Sequence, residues 1–221
     1  MRMHKVSLAP EGGRIITISA ILVVVAVIFS LLTFGGRGLW LPAITSIWFL
    51  AVVYFFRDPM RTIPKGENIV VSPADGKIIA LDHALNSPLS PSGQRVSIFM
   101  SPLNVHVNRA PFSGTVIRAE HRLGSFKSAF KPAAAMENEH TEIIMDTSFG
   151  ELAFRQIAGF LARRIVFHPE SGDALSTGER IGIIRFGSRV DLFLPDNVRF
   201  RVNLGDKVTA GETIIGEFTN V

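Results

Sequence analysis

The stretch Val202-Asn203-Leu204-Gly205-Asp206-Lys207-Val208-Thr209-Ala210-Gly211-Glu212-Thr213-Ile214-Ile215-Gly216 reads as short strands doubled back through glycine turns. Gly205 and Gly211 supply the backbone freedom that tight turns need, and the apolar residues around them pack a small core. Upstream the same grammar repeats. Short runs of β-branched character lie at 68–72, 77–81, 95–100, 114–118, 142–146, 151–157, 180–185, 189–194 and 199–202, and 213–218 closes the series. Turn signals separate them: Pro73-Ala74-Asp75-Gly76, Ser90-Pro91-Ser92-Gly93, Ser148-Phe149-Gly150, Pro195-Asp196-Asn197 and Leu204-Gly205-Asp206. This spacing predicts an antiparallel sandwich or barrel. Helical signals are few, and 159–165 is the one candidate for a short helix.

The 202–216 pattern resembles the hammerhead turn of barrel-sandwich hybrids, as in lipoyl and biotinyl carrier domains, membrane-fusion adaptors and some peptidases. The expected fold class is therefore mainly β, with barrel-sandwich-hybrid-like antiparallel sheets and few short helices. That likeness concerns fold and not function. A carrier needs an exposed lysine flanked by small residues or Met at a hairpin tip, and neither Lys77 nor Lys207 has that setting.

The N-terminal region has a different character. Ile15–Phe34 is a run of 20 residues without a charge. A helix of that length covers roughly 30 Å, the thickness of a bilayer's hydrocarbon core. After Gly35-Gly36-Arg37-Gly38, a second uncharged run of 18 residues, Leu39–Phe56, carries Trp40, Trp48 and Tyr54. Such aromatics favour membrane interfaces. The expectation is a two-helix membrane hairpin within residues 1–60, either spanning twice or re-entering, followed by a catalytic domain at 61–221. A signal peptide is disfavoured, because the first run is too long and leads into another apolar segment. Arg2, Lys5 and Arg14 precede the pair and Arg57, Arg61 and Lys65 follow it, with only Arg37 between. The positive-inside bias puts both ends, and the domain that follows, on the cytoplasmic side of the cell membrane.

Residues 1–65 carry a net charge of +5, whereas the whole chain carries +4. The basic excess thus belongs to the anchor, and nucleic acid is not an expected partner. The absence of cysteine excludes disulfides, thiolate metal sites and cysteine nucleophiles. Zinc spacings such as H-x-H or H-E-x-x-H are missing, and no metal is expected.

In Arg180-Ile181-Gly182-Ile183-Ile184-Arg185-Phe186-Gly187-Ser188-Arg189-Val190-Asp191, two strand-like runs flank a Gly-Ser pair. By itself such a pair is a bulge or a turn, and the G-x-S-x-G nucleophile elbow is absent. Five blocks in order change its weight. They are Val71-Ser72-Pro73-Ala74-Asp75-Gly76, Met100-Ser101-Pro102-Leu103-Asn104-Val105-His106-Val107-Asn108-Arg109-Ala110-Pro111, Glu137-Asn138-Glu139, Gln156-Ile157-Ala158-Gly159 with Ala162-Arg163-Arg164-Ile165, and Phe186-Gly187-Ser188. Over roughly residues 60–221 the chain resembles the phosphatidylserine decarboxylase family, most closely its short bacterial and archaeal-type branch.

That resemblance implies a pyruvoyl-dependent enzyme that builds its cofactor from Ser188. The Ser188 hydroxyl attacks the Gly187 carbonyl, converting amide to ester. β-Elimination and hydrolysis then leave a pyruvoyl group at residue 188. The products are a large chain, 1–187, and a small chain, 188–221, that stay together; a homo-oligomer of the processed pair is left open. The covalent pyruvoyl group forms a Schiff base with the amine of phosphatidylserine in the membrane. It acts as electron sink while CO₂ leaves, and the product is phosphatidylethanolamine.

The resemblance also makes Asp75 a candidate base or orienter for self-cleavage and His106 a candidate proton donor to Cα. Outside the family context, Asp75 reads as a turn-capping residue and His106 as a structural histidine. The long branch carries a second histidine three residues after the first, within an Asp-His-Ser triad. Here that position is Arg109, and Arg189 replaces the small residue that commonly follows the serine. The triad does not transfer intact: either His106 serves both steps, or His140 or His168 takes one. Arg109, Arg163, Arg164 and Arg189 are candidates for the lipid phosphodiester or the substrate carboxylate, which arginine binds with paired hydrogen bonds. Phe112, Phe126 and Phe130 are candidates for an acyl path, and residues 123–132 for a loop at the membrane surface. The competing reading is a non-enzymatic, membrane-anchored barrel-sandwich adaptor, which leaves the Asp75, His106 and Gly187-Ser188 blocks unexplained.

Overall fold

The computed structural model describes residues 6–35, 38–83, 87–89, 93–128, 130, 137–159, 164–185 and 187–219. The chain forms two compact units, Met1–Met60 and Arg61–Val221.

In the first unit, strand β1 (Val6–Leu8) leads through a 3₁₀ turn at Pro10–Gly12 into helix α1 (Gly13–Phe34). Helix α2 (Trp40–Phe55) packs against α1 and runs into strand β2 (Arg57–Pro59), which pairs antiparallel with β1. The helix pair is drawn together by small side chains: Ser19, Ala26 and Ser30 form the buried stripe of α1. Small residues let helix backbones approach closely. A Cβ on Gly12 would stand 2.4 Å from the Phe56 ring, so the base of the pair also depends on a missing side chain. The α1 segment is long and apolar enough to cross a membrane, whereas α2, with 16 residues, is shorter. Ile18, Ile21, Leu22, Val24, Val25 and Leu32 are among the α1 side chains left exposed.

In the second unit, the strands are β3 (Ile69–Val71), β4 (Gly76–His83), β5 (Gln94–Met100), β6 (Val107–Arg109), β7 (Gly114–Arg122), β8 (His140–Thr147) and β9 (Gly150–Ala158). Then come β10 (Ile165–Phe167), β11 (Ala174–Leu175), β12 (Arg180–Ile184), β13 (Ser188–Leu194), β14 (Val198–Phe200), β15 (Lys207–Val208) and β16 (Ile214–Phe218). An eight-stranded antiparallel sheet has the order β11-β7-β8-β9-β13-β5-β4-β15. Two three-stranded sheets, β10-β12-β6 and β14-β16-β3, bury Ile165, Ile181, Ile184, Val198, Ile215 and Phe218 in one core with the large sheet's Ile98, Ile143, Phe154 and Val190. The architecture is the expected mainly-β one, and all ten anticipated strands are present.

Two glycines of the 202–216 segment form tight turns. Gly205 (φ +93°) and Gly211 (φ +74°) both adopt the left-handed conformation, and Lys207 and Val208 pair with Lys77 and Gly76. The helix anticipated at 159–165 is corrected at its ends. Gly159 and Arg164 are irregular and Ile165 opens β10, while 160–163 lie outside the described residues.

Strand β13 is buried along its whole length, on both faces. Alternation points Ser188, Val190, Leu192 and Leu194 into the core and Arg189, Asp191 and Phe193 to the other side. The second face is also covered, with Phe193 buried among Leu89, Ile144 and Ala153.

Candidate active site

Ser188 opens β13, wholly buried and flanked by Met100 of β5 and Ala158 of β9. Gly187 precedes it with φ +64°, a left-handed conformation that suits glycine. A Cβ there would meet nothing within 4 Å, so backbone geometry rather than space calls for glycine.

His106 is wholly buried just before β6. Its Nδ1 lies 2.9 Å from the Asn104 carbonyl, which can only accept, so Nδ1 carries the proton. Nε2 is then left with a lone pair, and the Gly187 N–H donates to it over 3.4 Å. The accepting Nε2 thus sits against the residue that precedes Ser188. That hydroxyl donates to the Met100 Sδ at 3.3 Å. Among the described residues, no histidine or carboxylate is hydrogen-bonded to it.

Behind Met100 is a buried polar pair that the sequence reading gave no role. Asn108 Nδ2 donates to Met100 Sδ at 3.6 Å, and Gln156 Nε2 donates to Asn108 Oδ1 at 2.7 Å. Both residues are wholly buried, and among the described residues Gln156 Oε1 has no partner. Asn108 was legible in principle, since it follows His106 at the spacing that shares a strand face. Gln156 was legible as the uncharged polar residue in the otherwise apolar end of β9.

Asp75 is engaged elsewhere. Its carboxylate accepts from Arg61 Nη2 at 2.9 and 3.0 Å and from the Ala210 N–H at 2.8 Å. Arg109 donates to the Gly178 carbonyl at 3.1 Å and lies on the strand face opposite Asn108. Arg189 sits on the face opposite Ser188. There its guanidinium is buried in a paired contact with Asp191 (2.5 and 2.7 Å) and a bond to Ser97 (3.1 Å). Next to it on the same face lies a second buried pair, Arg155 with Glu142. Arg164 is exposed, its carbonyl accepting from the Arg185 N–H at 3.2 Å. Arg163 lies outside the described residues.

Of the other histidines, His140 pairs in register with Ile157, which in turn pairs with Arg189, so it faces away from Ser188. Burial, the largest influence, holds its pKa below the ordinary histidine value, and its Nδ1 contacts the Asn138 carbonyl at 2.7 Å. His168 is exposed beyond the far end of β10. The rings of Phe112, Phe149 and Phe218 pack on one another, and Phe112 belongs to the core. Phe126 packs partly buried against that core, whereas Phe130 is exposed with its edge on Phe99.

Residues 48–216 match the family model described as phosphatidylserine decarboxylase. A protein of Geotalea uraniireducens is 42% identical over 98% of this chain and 99% of its own length. One of Chlorobaculum tepidum is 43% identical over 95% and 97%, and one of Pelobacter propionicus is 46% identical over 79% and 80%. Each of the three is named phosphatidylserine decarboxylase proenzyme.

Proposed function

The chain belongs to the phosphatidylserine decarboxylase family, and on that footing we propose that it cleaves itself between Gly187 and Ser188 and uses residue 188 as a pyruvoyl group. It is a decarboxylase, and its substrate is phosphatidylserine. The observation that carries the reading is the basic Nε2 of buried His106, held against the Gly187 N–H beside the Ser188 hydroxyl.

Ser188 Oγ, turned from Met100, attacks the Gly187 carbonyl and His106 Nε2 takes its proton. The peptide C–N bond gives way to an ester C–O bond. Loss of the Ser188 α-proton then expels the Gly187 carboxylate, and water replaces the resulting enamine nitrogen, which leaves as ammonia. Residue 188 fits the product: β5 and β9 pair with it from both sides, so a new chain end stays fixed after the break. The small chain stays because β13 lies between β9 and β5, β15 pairs with β4, and β16 pairs with β3. A ketone at residue 188 supplies an electrophile for the substrate's amine and a sink for the electron pair left when CO₂ departs.

His106 serves both steps, first as base and afterwards as the acid that returns a proton to the substrate carbon. Asp75 acts as a positioning residue. It belongs to the large chain and grips the Ala210 N–H of the small one. Arg164, exposed beside Arg185 at the end of the β10–β12 pair that leads to Gly187, is the arginine assigned to the lipid phosphodiester. The apolar helices hold the chain at the bilayer that contains its substrate, with the catalytic unit on the cytoplasmic side.

The test is CO₂ release from phosphatidylserine in detergent micelles by the purified full chain and by Ser188→Ala and His106→Ala. Release by the wild type and its loss in both variants is expected. Undiminished release by Ser188→Ala would overturn the reading.

A further inference from the structure

Gln156 is the one wholly buried side chain near Ser188 with an oxygen left unused among the described residues. A buried amide oxygen without a hydrogen bond costs about 1–3 kcal/mol, so its retention calls for a use. Its position is defined by register. Val190 pairs with Gln156 and Ser188 with Ala158, which makes Gln156 a diagonal neighbour of Ser188 on the core face. Such diagonal neighbours stand roughly 7–8 Å apart, within reach of a glutamine side chain plus a small ligand group. The amide's other end is fixed by Asn108, which is itself anchored on Met100.

A cavity lies one strand away from it. On the side away from Ser188, Gln156 pairs with Thr141. Thr141, with His121, Ile165 and Phe167, lines a cavity of about 410 Å³. From Thr141's strand to that of Ser188 is two strand spacings, about 10 Å. The cavity therefore starts one strand short of Gln156, on the same face of the sheet. It is large enough for a polar headgroup.

We propose that the Gln156 carboxamide oxygen accepts a hydrogen bond from the primary ammonium of the phospholipid headgroup. It thereby aims the amine at residue 188 and favours lipids that carry an N–H over lipids that do not. This role rests on the reading of Ser188 as the reacting residue. The carboxamide is held by Asn108 before substrate arrives, so the acceptor is pre-oriented. A neutral oxygen attracts the ammonium without locking it in its charged form, and the amine must lose a proton before it can attack.

The test uses the full chain in detergent micelles, with Gln156→Met, which has similar volume and no acceptor, and Gln156→Glu, which keeps an oxygen. Equilibrium binding of phosphatidylethanolamine is compared with that of phosphatidic acid, which lacks the amine. In Gln156→Met, phosphatidylethanolamine affinity should fall roughly 10- to 100-fold, as for a hydrogen bond to a charged group. Phosphatidic acid affinity should be unchanged, and Gln156→Glu should retain the preference for the amine. Unchanged phosphatidylethanolamine binding, or an equal loss for both lipids, would overturn the proposal. Should Gln156→Met not fold, loss of the preference in Gln156→Glu has the same force. Intact mass of the same samples reports cleavage at Ser188 separately, so a failure of the underlying reading shows itself without being confused with a failure of Gln156.

Discussion

Replacing Gly187 with alanine isolates the backbone's share in self-cleavage. At φ +64° a residue with a Cβ loses roughly 1–2 kcal/mol relative to glycine. Nothing lies within 4 Å of the added carbon, so no clash is added to that cost. Where the segment before β13 relaxes to relieve the strain, the Gly187 N–H leaves His106 Nε2 and the hydroxyl loses its base. Each 1.36 kcal/mol is tenfold in rate, so the cleavage-competent fraction, and with it the rate of chain conversion, should fall roughly 5- to 30-fold. The fold should remain, with a stability loss of no more than about 2 kcal/mol. The assay is a time course of full-length chain, large chain and small chain by denaturing mass measurement after synthesis, paired with a thermal melt. Gly182→Ala is the contrast. Its Cβ would stand 2.1 Å from the Val166 carbonyl oxygen, a rigid backbone contact, so it should lose stability before it loses anything specific to cleavage. A Gly187→Ala chain that converts at the wild-type rate would refute the reasoning.

Asp191→Ala strands the buried Arg189 guanidinium and should cost about 3–5 kcal/mol in denaturant unfolding, whereas Arg189→Met with Asp191→Leu should be far milder. Equal losses in both would show that the pair is not what the site depends on. Asp75→Asn weakens the grip on Arg61 and on the Ala210 N–H, so the processed large and small chains should separate at a lower denaturant concentration than in the wild type. His140 is held below its ordinary pKa by burial, so the unfolded chain binds the proton more readily than the folded one. Stability should therefore fall as pH drops below about 6.5. His140→Gln should flatten that part of a melting-temperature profile.

Much of the fold was legible because its long strands are runs rich in apolar, β-branched residues and its turns carry glycine, proline or aspartate. The strands missed are those of two or three residues, such as Ala174–Leu175 and Ile165–Phe167, where no period can be counted. The site was legible unevenly. Ser188, Gly187 and His106, from separate sequence blocks, lie together through the Gly187 N–H bond to His106 Nε2. Arg189 and Asp191 could have been read as a same-face pair, since residues two apart on a strand point the same way. Their burial could not, because it depends on what covers the second face of the sheet. Asp75's partner Ala210 lies 135 residues away and bonds through its backbone, which leaves no mark on residue type. Gln156 stood in plain view, but only the register with Ser188 gives it meaning.

The most direct test of self-cleavage is the intact mass of the purified chain under denaturing conditions, with Ser188→Ala beside it. Two species are expected in the wild type: residues 1–187, and residues 188–221 with no free amino terminus. Ser188→Ala should give a single full-length species. A single uncleaved chain in wild-type protein that releases CO₂ from phosphatidylserine would contradict self-cleavage.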